Sequence, residues 1–350
     1  MLFEGGVDMV ICVKVPLKRA QEVKCFLVEQ GIFHPDYAVK KTKTHIYFPI
    51  SRKSGINKQF GFAELADVKL LPKARKKTDM RSLVTNKLTK KELAHLRRAY
   101  DITGSIAILE IPPELEKKEK LVAETILQLQ KNVKTVVKKA GIHSSDYRIQ
   151  PMQYLAGVDT KETVHKEHGV LLKLDVENVY FSPRLSTERK RVADQVRPGE
   201  SVLVMFSGCA PYPCVIAKNT KAKEIYGIEL NPFGHKYGTE NIKLNKIRNV
   251  ALFEGDVREL VPALKKKFDR IIMPLPKSAG DFLDIAFMAA KKGTVFNFYA
   301  FEEEGKFDNA RQRIRKACNK NNLKCRILRT VKCGQHAPRV FRICVDFNIV

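Results

Sequence analysis

Apolar positions along this chain fall into two regimes. Through roughly the first 180 residues they come as short alternating runs broken by charged segments; from about residue 186 they come as nearly continuous blocks. Residues 8–15 (DMVICVKV) predict a strand, and residues 17–31 a helix closed by Gly31. Strand-like segments at 37–39 and 45–48 follow, then the polar loop SRKSGINKQ, and residues 59–70 supply one more strand or helix. The proline-initiated basic segment LPKARKKTDM predicts a linker over 71–88. A second block opens near residue 89, where Thr89 and Glu92 stand three apart as in a capping box. SIAILEI is a strand, residues 113–139 form a long charged helix, and residues 146–155 and 163–180 read as strands. Beyond a helix at 186–196 the blocks SVLVMF, KEIYGIEL, NVALFEGD, RIIMPL and GTVFNFYA alternate with helical segments. Runs of this kind suit buried parallel strands. Two last strands between 323 and 349 form an antiparallel edge hairpin.

The expected architecture is therefore α/β: two smaller α+β modules, residues 1–70 and 89–180, ahead of a Rossmann-like sheet at 181–350. Composition adds one strong fact. Lys and Arg number 64 against 38 Asp and Glu, a net charge of +26, which attracts polyanions, nucleic acid foremost. Nothing approaches the ~20 consecutive apolar residues that span a bilayer. The first twenty residues lack the pattern of a secretory leader, which predicts a cytoplasmic protein. The eight cysteines include no CxxC pair and no Cys/His grouping of zinc spacing, so no metal is expected.

In open α/β sheets, ligands sit at the carboxyl ends of the strands. The first such end here is MFSGCAPYP, where Gly208 permits a tight turn close to a ligand. Glu229 in IYGIEL follows 21 residues later, the distance at which a βαβ unit delivers an acid to ribose hydroxyls. Asp256 in EGDVREL ends a third strand and suits an adenine amino group. Each acid has a plainer alternative: Glu229 as a neighbour of the helix cap before Asn231-Pro232, Asp256 as the cap of VRELVPAL. Together they favour a nucleoside cofactor. With GxGxxG and the P-loop both absent, S-adenosylmethionine, which has no phosphates, is the better candidate.

At DYRIQPMQYLAG, HKE…VYFSPRL…ER, FSGCAPYP, IELNPFGHKYGTENIKLNK, GDVREL, IIMPLPK and QHAPRVFRICVDF, the chain resembles the archaeal and eukaryotic-type tRNA (guanine-37-N1)-methyltransferases. That family also takes in wyosine-pathway enzymes. The resemblance implies a class I methyltransferase fold holding S-adenosylmethionine through Arg184, Phe206, Gly208, Glu229, Asp256, Val257 and Pro274. It implies Glu188 as general base and Arg148 as the contact to guanine O6. It also implies a monomer whose first module touches the tRNA outer corner while the rest grips the anticodon stem-loop. Alone, Glu188 reads as an exposed first-turn helix residue, favoured there by the helix dipole. Two departures stand out. Ala210 replaces a family glycine, and Pro274 replaces a family asparagine, removing both a side-chain amide and a backbone N–H. The competing expectations are wyosine-pathway methyl or aminocarboxypropyl transfer, and a catalytically silent RNA-binding protein.

Overall fold

The computed structural model describes residues 7–52, 56–72, 79–97, 99–141 and 147–350. The chain divides into two compact units, residues 1–79 and 80–350. In the first, β1 (Asp8–Pro16), α1 (Ala20–Glu29), β2 (Lys40–Lys41), β3 (His45–Pro49), α2 (Ile56–Gln59) and β4 (Glu64–Leu70) build an antiparallel sheet of order β2-β3-β1-β4. Val13 and Val15 of β1 face Val23 and Leu27 of α1 across a core with Phe48 and Ile56. Gly31, at φ +61°, ends that helix as expected. Residues 37–39, expected as a strand, contribute a single bridge, Tyr37 to Pro72. The pairing partner of β3 is instead Lys40–Lys41. The basic run 73–77 and part of the 51–59 loop lie outside the described residues.

The second unit begins inside the segment expected to be a linker. Met80–Val84 is a helix, α3, and Met80, Val84 and Leu88 are buried in the module that follows. α4 (Lys90–His95) opens with the expected capping box, Thr89 and Glu92 bonding reciprocally. Next come β5 (Asp101–Thr103), β6 (Ile106–Leu109), α5 (Glu119–Leu129), β7 (Thr135–Lys139) and β8 (Met152–Gly157), in sheet order β5-β6-β7-β8. The expected helix over 113–139 is thus much shorter: a 3-10 turn precedes it and its last five residues are a strand. The β-branched TVV run pairs in parallel with β6, Ile106 to Thr135 through Leu109 to Lys138, and that pairing overrides the charged helical pattern. β8 starts at Met152, not 146, a residue outside the described set. Residues 163–180 turn at His168–Gly169 into a hairpin, β9 (Glu162–Glu167) and β10 (Val170–Asp175).

The rest is α6 (Ser186–Ala193), β11 (Ser201–Met205), α7 (Pro211–Asn219), β12 (Glu224–Glu229), α8 (Pro232–Leu244), β13 (Val250–Glu254), α9 (Val257–Ala263), β14 (Phe268–Met273), α10 (Leu283–Met288), β15 (Ala290–Glu303), α11 (Asp308–Lys320), β16 (Cys325–Ala337) and β17 (Val340–Ile349). Their sheet runs β13-β12-β11-β14-β15-β17-β16, parallel through β15 and antiparallel for the final hairpin. All five residues of β11 are buried, as its apolar run requires. α9, α10 and α11 cover one face, and α6 and α7 cover the other.

The hairpin joins this domain through side chains standing in for a strand. Asn241 of α8 accepts from the Lys173 N–H (2.7 Å) and donates to its carbonyl (2.9 Å); Asn245 does the same at Leu171 (2.8 and 2.6 Å). One helical turn advances about 6 Å over four residues and a strand about 6.6 Å over two, so the two repeats match. On the far side, Glu167 meets Arg189 of α6 in a bidentate pair at 2.5 and 2.6 Å, with the guanidinium 2% exposed. Burial pushes the Glu167 carboxyl up, but hydrogen bonds from His165 and Arg189 outweigh this and hold it at about 2.

Glu167→Gln leaves that guanidinium buried beside a neutral amide and costs about 3–5 kcal/mol. Because the folded value lies below the ordinary 4.5, the stabilisation is complete above about pH 4.5 and is lost progressively towards pH 2. Urea unfolding of both proteins across that range reads the gap. A gap that does not narrow with acid contradicts the assignment.

Candidate active site

Strand order reverses between β11 and β14, so the chain leaves a crevice at their carboxyl ends. β11 runs into Phe206 (φ +59°), Gly208 (φ +58°) and Ala210 (φ +62°), a turn with three left-handed residues in five. Only glycine adopts that conformation without strain, and two of these three are not glycine. The turn is tied down accordingly. The Ser207 N–H donates to the Ile228 carbonyl (2.8 Å) and the Gly208 N–H donates to Glu229 Oε2 (2.6 Å). Glu229 Oε1 accepts from the Asn231 N–H (2.9 Å). Asn231 caps α8 and donates its amide to the Asn178 carbonyl (2.8 Å). Small residues let α8 press close: a Cβ on Gly234 would stand 3.0 Å from Glu229 Cγ, and one on Gly238 3.0 Å from Leu252.

Burial raises the Glu229 carboxyl above its ordinary value, partly offset by the N–H groups of Asn231, Gly208 and Leu230. A carboxylate offers about four lone-pair sites, so Glu229 retains acceptor capacity for a ribose hydroxyl. A Cβ on Gly208 would have no neighbour nearer than the Tyr180 carbonyl at 3.8 Å, so the turn has open space beside it. Asp256 caps α9 through the Arg258 N–H (2.8 Å), and the Arg258 side chain pairs with it and lowers its carboxyl. That guanidinium lies 5.8 Å over Phe282, whose ring meets Phe206 edge-on at 4.9 Å. Val257 is buried in the core beneath. Pro274 follows β14, half-buried, with Leu275 turning back on the Met273 carbonyl (2.8 Å). Arg184 stands apart: its side chain is 65% exposed and bonds Asp101 of β5 at 2.6 Å.

Glu188 is not the exposed first-turn residue its position suggests. It is 5% exposed, with Arg191 donating to both oxygens at 2.7 Å and the Tyr299 hydroxyl donating to Oε1 at 2.6 Å. Arg191 also holds Asp346 (2.7 Å), and Tyr299 meets the Tyr212 hydroxyl at 2.8 Å. Register places this cluster: Met273 of β14 faces Phe298 of β15, so Tyr299 lies level with Pro274. Arg148, at φ +55°, is half-buried; burial lowers its guanidinium, with Tyr180 opposing and Arg342 reinforcing that shift. Arg342 in turn donates to the Tyr180 hydroxyl at 2.8 Å. The structure thus gathers Phe206, Gly208, Glu229 and Asp256 along one crevice, with Glu188 at the level of Pro274 and Arg148 beside Tyr180. Sequence reasoning did not single out Asn231, Tyr180, Arg191, Tyr299 and Arg342. Asn231-Pro232 was readable as a helix start, whereas Tyr180 and Arg342 meet across 162 positions, which no local pattern signals.

A glycine turn, an acid on the next strand end and an Asp-capped third, at the switch point of such a sheet, define a class I S-adenosylmethionine-dependent methyltransferase domain. Residues 163–328 match the TRM5/TYW2 methyltransferase domain, 80–160 the TYW2 N-terminal domain, and 12–56 the tRNA methyltransferase 5 N-terminal domain. The chain belongs to the TRM5/TYW2 methyltransferase family. It is 38% identical over 343 residues to tRNA (guanine(37)-N(1))-methyltransferase Trm5b of Pyrococcus abyssi, covering 97% of this chain and 99% of that one. It is 35% identical over 255 residues to tRNA 4-demethylwyosine(37)-methyltransferase Taw21 of Saccharolobus solfataricus, covering 72% and 94%. A solved complex of aTrm5 and tRNALeu superposes with a TM-score of 0.72 at 31% identity, covering 97% of this chain and all of that one.

Glu229→Ala should weaken S-adenosylmethionine binding by at least about 1–3 kcal/mol, the cost of losing a charged acceptor, because it also releases the Gly208 turn that the carboxylate ties down. Titration calorimetry of Glu229→Ala and Asp256→Ala decides this. Unchanged affinity in both removes the cofactor assignment.

Proposed function

We propose that this protein transfers a methyl group from S-adenosylmethionine to N1 of guanosine 37 in the tRNA anticodon loop. The observation that carries this reading is the extent of the likeness: a tRNA (guanine(37)-N(1))-methyltransferase aligns over 97% of the chain, including the amino-terminal module. The net charge of +26 suits a polyanionic substrate, and no helix among the described residues is long and apolar enough to cross a membrane. We place the first module at the tRNA outer corner and the remainder on the anticodon stem-loop, with the protein acting as a cytoplasmic monomer.

Bound in the crevice, S-adenosylmethionine supplies an electrophilic methyl group on a sulfonium. The residues fit it: Glu229, though it accepts from the Gly208 and Asn231 N–H groups, retains acceptor capacity for a ribose hydroxyl, Gly208 leaves space, and Phe206 and Phe282 offer an apolar wall. Guanine N1 carries a proton and is a poor nucleophile until that proton leaves. Glu188, held in place by Arg191 and Tyr299, takes it. The Arg148 guanidinium neutralises the charge that then builds on O6. Pro274 contributes no N–H, so orientation of the base rests on arginine and on shape.

The missing amide at Pro274, with the likeness to Taw21, favours one second reading: methylation of a tricyclic guanine derivative at the same position. Reaction with unmodified transcripts carrying G37 or A37, followed by nucleoside mass spectrometry, separates the two. We expect 1-methylguanosine from the G37 transcript and no product from A37. Inert G37 transcript, with methylation of tRNA already carrying the tricyclic base, would replace the first reading with the second.

A further inference from the structure

In the QHAPRVFRICVDF segment Asp346 steadies Arg191, but Arg342 has no part in the chemistry above and is unusual. Arg342 of β17 donates Nη2 to the Tyr180 hydroxyl, while its Nε is buried with no hydrogen-bond partner. It forms no ion pair among the described residues. The acids nearest in register are already engaged: Asp346 by Arg191 and Arg329, Glu302 by Arg313, Glu303 by Lys306. An orphan N–H on a cation loses its hydration and gains nothing in return, so such groups are rare unless a ligand completes them. The guanidinium lies 5.3 Å over the ring of Phe301, which stacks on the exposed ring of His336 at 3.9 Å and 20°. These contacts hold the guanidinium between Tyr180 and Phe301.

Its location is equally informative. Tyr180 spans from the Gly208 turn, which its carbonyl faces, to Arg342, which its hydroxyl meets. Arg342 is therefore one tyrosine length from the cofactor turn, and Arg148 is close enough to feel its charge. A second cation so near the base-reading arginine, with no carboxylate in its contacts, suits an anion delivered by the substrate. The anion that accompanies a base into such a site is its own backbone phosphate, and a guanidinium binds phosphate through paired donors.

We propose that Arg342 is an RNA-phosphate ligand: its part-exposed guanidinium, held by Tyr180 and Phe301, takes a phosphodiester oxygen next to the nucleotide whose base is methylated. This rests on the proposed tRNA substrate and adds a subsite to it. The contact positions the nucleotide and carries no base specificity.

The test pairs a protein change with removal of one charge from the RNA. Anticodon stem-loops carrying a neutral methylphosphonate at one loop phosphate at a time are titrated against the full-length protein, wild type and Arg342→Met. Losing a charge-assisted hydrogen bond weakens binding about 10- to 100-fold. Wild type should lose that much at one linkage flanking position 37, and Arg342→Met should lose it with the native RNA. The variant should then be indifferent to that linkage while keeping wild-type sensitivity at the others. Arg342→Lys, which keeps the charge without the fork, should recover part of the affinity, and unchanged S-adenosylmethionine binding certifies the folds. If Arg342→Met binds native RNA as wild type does, or remains sensitive at every linkage, the subsite is wrong. Should the linkage tied to Arg342 lie elsewhere in the loop, Arg342 still binds phosphate, and it is the position-37 reading that falls.

Discussion

One carboxylate holds the catalytic half of this protein together. Glu229 accepts the Gly208 N–H with one oxygen and the Asn231 N–H with the other, so it fixes the left-handed turn after β11 and the start of α8 at once. From there the constraint propagates. α8, correctly started, presents Asn241 and Asn245 to the open edge of β10. The β9–β10 hairpin, so docked, carries Glu167 to Arg189, and Arg189 fixes α6, the helix that bears Glu188. Cofactor acid and candidate base are thus joined by a path of directed polar contacts that ends in the buried Glu167–Arg189 pair.

The surroundings of Glu188 belong to a larger buried network. Arg191, Asp346, Asn297 and Arg270 follow one another in hydrogen-bond contact, with Arg329 added at Asp346 and Glu200 at Arg270. Asp346 is 1% exposed, and although burial pushes its carboxyl up, Arg191, Arg329 and Asn297 keep it below its ordinary value. Isolated, any of these charges would be costly to bury; linked, they make a rigid frame. The frame fixes β15 against α6, so Tyr299 and Glu188 meet at the level where β14 ends and Pro274 begins.

Much of this was legible along the chain. The buried parallel strands announced themselves as continuous apolar blocks, and Gly208, Glu229 and Asp256 by their spacing from strand ends. The Thr89–Glu92 cap and Gly31 stop are local signals and appear where expected. What failed were segments whose structure is decided by distant partners. The TVV run after α5 becomes a strand because β6 lies beside it, and Met80–Leu88 joins a core although a basic run precedes it. Likewise Glu188 looks exposed from its place in a charged helix, and is buried because Tyr299 and Arg191 close over it. Such contacts join residues 111 and 162 positions apart, beyond the reach of any periodicity.

The central claim is that a carboxylate buried at the end of β14 removes the proton that makes guanine N1 nucleophilic. Its most direct test is the pH dependence of single-turnover methylation in Glu188→Gln. The amide keeps the acceptor for Tyr299, and Arg191 keeps Asp346, so fold and ligand binding should survive. The account predicts a rate lower by ~10²–10⁴-fold at neutral pH, the usual contribution of a positioned base, with the deficit shrinking as hydroxide takes over that role at higher pH. A Glu188→Gln enzyme that methylates at the wild-type rate at neutral pH contradicts it.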